Sequence, residues 1–317
     1  LFPYTTLFRS PCSKRTMNPI ELYALQYPDL SETRLLELIA QEAFIRRAAS
    51  LDFPFMLKGS HITRQYFPNL QMRLPADLDY VMLPYKEDCR VAENSLNKWA
   101  QAVTTAYAYD GVTFTPFSQN PFWRNVDYAM SDDFPTTNTD LTCTINGQLV
   151  ELSVDVSFNL DLPIEPDYYT VFNTAMDQFT LPYSVPLAPQ IAWKLHQTLV
   201  RPRFKDLYDL SYLVRHIQGD ANLIAQILDI LTAECRRDRI PLGNIRRLFS
   251  SNLRDIFCHY DTRHPYIKNL RQDWDCQRKT DEFSYTCPQI PDDYQTVFEQ
   301  YAQSLRDAGL TLDNLVL

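Results

Sequence analysis

The segment PADLDY carries Asp77 and Asp79, two carboxylates one residue apart in a run with strand character. Residues i and i+2 of a strand project from one face, so the two acids stand side by side and repel each other. A divalent cation relieves that repulsion. Mg²⁺ takes carboxylate oxygens together with phosphate oxygens and waters in an octahedral shell. Two such ions about 4 Å apart activate an attacking hydroxyl and stabilise a leaving pyrophosphate. A third strand acid stands downstream. In VELSVDVSF, Val150, Leu152, Val154 and Val156 point one way, while Glu151, Ser153 and Asp155 point the other. Asp155 and Glu151 compete for the third place, and the VDVS context favours Asp155. Upstream, Gly59-Ser60 opens a predicted helix, where unpaired N–H groups hold phosphate. The glycine permits close approach of a triphosphate, and the Ser60 hydroxyl donates to it. A lone DxD is also an ordinary solvated strand end; the flanking Gly-Ser and the third acid are what lend it weight.

These residues need a framework. SETRLLELIAQEAFIRRAAS reads as a helix with Ser31 as N-cap and Leu35, Leu38, Ile39 and Ala43 on one face. FPFML is a short strand leading into Lys58, ADLDYVML a second strand, and ENSLNKWAQAVTTAYAY a helix. Residues 111–160 read as β-rich, and Asn146-Gly147 is the preferred two-residue turn of a hairpin. The pattern changes near Pro182. PQIAWKLHQTLV is a helix stopped at Arg201-Pro202. FKDLYDLSYLVRHI follows, with Leu207, Leu210, Leu213 and Val214 as its buried stripe, then ANLIAQILDILTAE, then YQTVFEQYAQSLRDAG closed by Gly309. The expected class is α+β. A core domain with a mixed sheet and flanking helices spans 17–181, and a helical domain spans 182–317.

The chain has 317 residues, 45% hydrophobic and 22% charged, an ordinary globular composition. Six glycines against 21 prolines argue against a glycine-cradled dinucleotide fold, and a net charge of −9 argues against a generally basic nucleic-acid-binding surface. No apolar run approaches the ~20 residues that span a bilayer. Seven scattered cysteines without a CxxC pair suit reduced thiols in a cytosol, and the five histidines show no metal-ligand spacing. LFPYTTLFRS reads as the translation of a sequencing adapter, so residues 1–16 are expected to be a non-native leader, with Met17 as the start. One basic segment, CRRDRIPLGNIRRLFSSNLRD, carries Arg236, Arg237, Arg239, Arg246, Arg247 and Arg254. It is either a solvated helix edge or a groove for an RNA backbone.

Two stretches resemble the AbiEii/AbiGii-type nucleotidyltransferase toxins of the DNA polymerase β-like superfamily. In KGSHITR…RLPADLDYV, Lys58, Gly59, Arg64, Arg73, Asp77, Leu78 and Asp79 match in order. In IAWKLHQTLVRPRFKDLYDLSYLV, the matches are Lys194, Leu195, Arg203 and Lys205, followed by Asp206, Leu207, Tyr208, Asp209 and Leu210. Ser60 replaces a glycine common in these toxins, and Pro75 stands where serine is common.

The resemblance implies a Mg²⁺-dependent enzyme that moves a nucleoside monophosphate from an NTP to an acceptor hydroxyl. Asp77, Asp79 and Asp155 are the implied metal ligands. Lys58, Gly59, Ser60, Arg64, Arg73, Lys194 and Arg203 are the implied nucleotide contacts, and Lys194 and Asp206 complete the catalytic set. It further implies a bacterial, cytoplasmic toxin of a toxin–antitoxin or phage-defence pair, with a cognate antitoxin and a tRNA acceptor. The alternatives are a transferase acting on a small molecule or protein, and a non-catalytic nucleotide-binding module of the same fold.

Overall fold

A computed structural model describes residues 18–86, 89–126, 135–257, 270–279 and 282–314. The expected leader 1–16 and start at Met17 lie outside the described residues. The chain folds as α+β, with a mixed sheet and flanking helices followed by a helical succession. The strands are β1 Phe55–Lys58, β2 Leu78–Met82, β3 Val112–Phe114, β4 Arg124–Val126, β5 Thr136–Ile145, β6 Gln148–Phe158, β7 Asp167–Asn173 and β8 Gln178–Ser184. They form one sheet in the order β3-β5-β6-β2-β1-β8-β7, with β4 also paired to β5. β2 runs antiparallel to β1 and parallel to β6, and β1 runs parallel to β8.

The longest pairing, β5 with β6, turns at Asn146-Gly147. Both residues have positive φ, 49° and 80°, the conformation that a two-residue hairpin turn demands and that Asn-Gly adopts at least cost. Alternation along β6 separates its faces. Val150, Leu152, Val154 and Val156 are buried in the core, and Asp155 belongs to the opposite face.

The helix Glu32–Ala49 starts where Ser31 Oγ accepts from the Arg34 backbone N–H, and it packs Phe44 edge-on against Tyr80 and Trp99. Trp99, from the helix Cys89–Thr105, stacks on Phe55 with ring centroids 4.3 Å apart. These aromatics fill the side of the sheet behind β1 and β2.

The buried apolar residues fall into two clusters. One draws on residues between Tyr23 and Val185, and the other runs from Ala188 to Leu310 with Phe67 added from the first half. Pro182 lies inside β8, so the change to helices occurs at Leu187, a few residues later than the composition suggested. The helices Leu187–Val200, Phe204–Leu213, Ala221–Arg237 and Tyr294–Asp307 follow. Gly309 closes the last with φ +80°. Among the described residues, no helix is long and apolar enough to cross a membrane.

Candidate active site

Asp79 and Asp155 share one rung of the sheet. Lys58 on β1 is in register with Asp79 on β2, and Asp79 with Asp155 on β6. Neighbours in register share a face, so Asp79 and Asp155 project to the same side. Glu151 is excluded from the third place. It is exposed and lies four residues down the strand from Asp155, about 13 Å at the usual rise. Asp77 enters just before β2. Its carboxyl is pushed up to about 7, first by the charge of Asp79, then by burial and by Asp155; Lys58 and Lys205 draw it partly back. The three acids therefore lie in one another's field.

Gly59 explains how Asp79 is seated. Its backbone has φ 72° and ψ −152°, a region open essentially to glycine alone. A Cβ there would lie 2.0 Å from Asp79 Oδ2. The carboxylate rests on the glycine, and Lys58 Nζ caps it at 3.3 Å from Oδ1. Ser60 begins a helix of only four residues, Ser60–Thr63, too short for a substantial dipole. Its hydroxyl oxygen is buried and has no partner among the described residues.

The loop that delivers Asp77 is held from several directions. Gln41 Nε2 donates to Ala76 O at 3.0 Å, and Arg34 Nη2 donates to Pro75 O. Burial holds His61 well below the usual imidazole range. The neutral ring is placed to donate Nε2–H to Gln41 Oε1 at 3.2 Å. From the far end of the chain, Thr286 O accepts from Leu74 N at 2.8 Å and from Arg73 Nη1 at 3.3 Å. Arg34 lies over the Tyr285 ring, 3.7 Å from its centroid.

The KDLYDL acids are each held by cations. Asp209 is fully buried and receives Arg73 Nε at 2.8 Å and Lys194 Nζ at 2.7 Å. Burial alone would raise its carboxyl; Arg73 and Lys194 outweigh that and hold it at about 2. Lys194 Nζ lies 3.7 Å from Asp206, which is gripped by Arg203 at 2.6 Å and 3.1 Å. The nearer partner of Lys194 is thus Asp209, and Asp206 spends its carboxylate mainly on Arg203.

Two expected nucleotide contacts, Arg64 and Arg73, make internal hydrogen bonds. Arg64 is fully buried, and its guanidinium bonds Glu42 at 2.9 Å, Tyr27 Oη at 2.7 Å and Leu70 O at 3.0 Å. Arg73 is 5% exposed and bonds Asp209, Leu74 O and Thr286 O. Arg73 donates from Nε, Nη1 and Nη2 to internal acceptors, whereas Arg64 uses Nη1 and Nη2 internally and keeps a buried Nε with no partner among the described residues. Lys205, read from the motif as either steering phosphate or lying in solvent, is held by an ion pair. It acts on Asp77 electrostatically while paired to Glu282 at 2.9 Å. Its place next to Asp206 in the motif was the only signal.

The model of the family described as nucleotidyl transferase AbiEii toxin, Type IV TA system, matches residues 49–284. The chain belongs to this family. The AbiEii match takes in the Gly59-Ser60 turn, all three acids and the KDLYDL helix. No curated protein matches the chain. Among solved structures, JHP933 from Helicobacter pylori is 15% identical, covering 89% of this chain and 95% of its own, with a TM-score of 0.47. A putative nucleotidyltransferase from H. pylori is 15% identical over 89% of this chain and 97% of its own, with a TM-score of 0.44. MenT4, a nucleotidyltransferase toxin from Mycobacterium tuberculosis H37Rv, is 14% identical over 92% of this chain and 99% of its own, with a TM-score of 0.48.

Among the described residues, no three histidine, cysteine or carboxylate side chains already stand as a metal cage. The donor set nevertheless suits a hard cation. It consists of carboxylate oxygens, Asp79 and Asp155 raise the proton affinity of Asp77, and an ammonium group already sits against Asp79.

Proposed function

We propose that this AbiEii-family chain is a Mg²⁺-dependent nucleotidyltransferase, with Asp77, Asp79 and Asp155 as its metal-binding acids. The observation that carries the reading is the register that sets Asp155 beside Asp79, with Asp77 two residues before Asp79 and the Asp79 carboxylate seated over Gly59 against Lys58. Carboxylates crowded at a cost on one sheet face are what a divalent cation compensates. Bound magnesium would activate the acceptor hydroxyl and neutralise charge on the departing pyrophosphate.

The chain's own residues do the rest. Gly59 leaves room above its backbone for the Asp79 carboxylate, and Ser60 offers its hydroxyl to the triphosphate. Asp155 takes the proton of the acceptor hydroxyl as its oxygen attacks the α-phosphorus. The bond from that phosphorus to the bridging oxygen breaks, and pyrophosphate departs with the electron pair. Lys58 and Lys205, with Lys194 behind them, supply positive charge that counts most when negative charge grows in the transition state. Arg203 orients Asp206, and Asp209 holds Lys194. The acceptor of this reading is an RNA hydroxyl, with tRNA as the family-based expectation. The partner is a cognate antitoxin, and the setting is a bacterial cytoplasm under phage attack.

The test is incubation with each α-phosphate-labelled NTP, Mg²⁺ and total RNA or total protein. Labelled RNA from the wild type and none from Asp79→Asn is the expected result. Labelled protein would replace the acceptor class, and no labelled product with any NTP would overturn the enzymatic reading.

A further inference from the structure

The acid rung continues beyond Asp155. Asp155 is in register with Asn138 on β5, and Asn138 with Arg124 on β4. Asn138 therefore stands on the acid face of the sheet, and it is 5% exposed. Its Nδ2 donates to Asp155 Oδ1 and, at 2.6 Å, to Ser153 Oγ. Charge dictates this orientation, since the reversed amide would set an oxygen against a carboxylate. Its Oδ1 is buried and has no partner among the described residues. A buried acceptor in that position costs about 1–3 kcal/mol, and a hydroxyl or water bound among the acids would satisfy it.

We propose that Asn138 is a positioning residue of the transfer site. Its Nδ2–H fixes the Asp155 carboxylate beside Asp79, and its Oδ1 accepts from a water or acceptor hydroxyl held between the acids. The proposal rests on the reading of those acids as cation ligands. Thr136 supplies an internal control. It stands two residues away on the same face of the same strand, and its hydroxyl bonds Ser157 Oγ at 3.0 Å without touching an acid. Substituting it perturbs the pairing of β5 with β6 and leaves the acids alone.

The experiment measures Mn²⁺ binding by the paramagnetic resonance of the free ion, alongside label transfer and melting temperature. Asn138→Ala should weaken Mn²⁺ binding about 10-fold or more, as loss of a residue that orients a metal ligand does. It should lower kcat by a similar factor and leave KM for the NTP within about two-fold. Thr136→Val should bind Mn²⁺ as the wild type does. If Asn138→Ala does not fold, Asn138→Ser carries the same expectation, because its hydroxyl is too short to reach Asp155. Wild-type Mn²⁺ affinity in the Asn138 variant, or equal weakening by Thr136→Val, would overturn this inference alone. A wild type that binds no Mn²⁺ would overturn the proposed function with it.

Discussion

Gly59→Ala is the most discriminating single change, because it adds one methyl group and no charge. Two costs follow from the structure. The backbone at φ 72° and ψ −152° is a conformation that charges a non-glycine residue about 1–3 kcal/mol. The new Cβ would also lie 2.0 Å from Asp79 Oδ2 and 2.8 Å from Asp79 Cβ. Rotating the carboxylate relieves the first contact, but the second involves the root of the side chain. The strand or the Gly59 turn must therefore shift on the order of 1 Å, a displacement that costs about 10²-fold where reacting groups are held in line. Unfolding entropy near 2.1 cal/mol/K per residue gives the chain about 0.7 kcal/mol/K. The backbone cost alone thus lowers the melting temperature by about 2–5 °C if the chain unfolds as one unit. The assay is label transfer beside thermal melting, with Gly147→Ala as a comparison. Gly147 also has positive φ, 80°, but a Cβ there would meet nothing within 4 Å. Both variants should melt lower, and only Gly59→Ala should lose transfer. Full transfer by Gly59→Ala would refute the placement of Asp79 over Gly59.

Asp79→Asn should reduce transfer by more than about 10²-fold and abolish any rise in melting temperature on adding Mg²⁺. Without metal it should melt at or above the wild type, because repulsion between the acids falls; melting curves with Mg²⁺ and with EDTA check this. Arg64→Met leaves Glu42 buried without its cation and should destabilise by about 3–5 kcal/mol in urea unfolding. KM for the NTP should stay unchanged in the fraction that folds, and a raised KM would return Arg64 to the nucleotide. Asp209 has a folded-state value of about 2, below the ordinary 3.8, so its stabilisation is present above about pH 4 and lost as the pH falls towards 2. The urea midpoints of wild type and Asp209→Asn should therefore differ at pH 7 and converge on acidification, and a constant difference would show that the carboxylate's charge is not what stabilises.

Much of the framework was legible because it rests on local rules. Ser31 caps its helix, Asn146-Gly147 makes its turn, and the alternation around Asp155 sorts the faces of β6, all from residues a few positions apart. The acid rung was legible only in part. The i, i+2 spacing announced Asp77 and Asp79, but the register that sets Asp155 beside Asp79 is a parallel pairing 76 positions distant, which no local pattern encodes. Arg64 and Arg73 show a different limit of local pattern. An arginine near an acidic motif reads as a phosphate ligand until its partners are known, and these partners, Glu42 and Asp209, come from other helices. Asn138 carried no signal at all, since an asparagine in a threonine-rich strand is unremarkable before its neighbour across the ladder is known. Pro182 misled by its own chemistry, because proline is tolerated within β8, and so the boundary read from it fell early.

The grip of Thr286 on Arg73 and Leu74 has a consequence for synthesis. The two ends of that contact are separated by 213 positions, and Arg73 belongs to the loop that delivers Asp77. At about 5–20 residues per second a ribosome needs roughly 10–40 s to cover that distance. Until then the acid loop lacks its C-terminal clasp, along with Glu282, which pairs with Lys205. A nascent chain that stalls short of this point carries every acid of the site but lacks the Thr286 clasp on Arg73 and Leu74. The loop before Asp77 thus reaches its full set of contacts only when nearly all of the chain has been made.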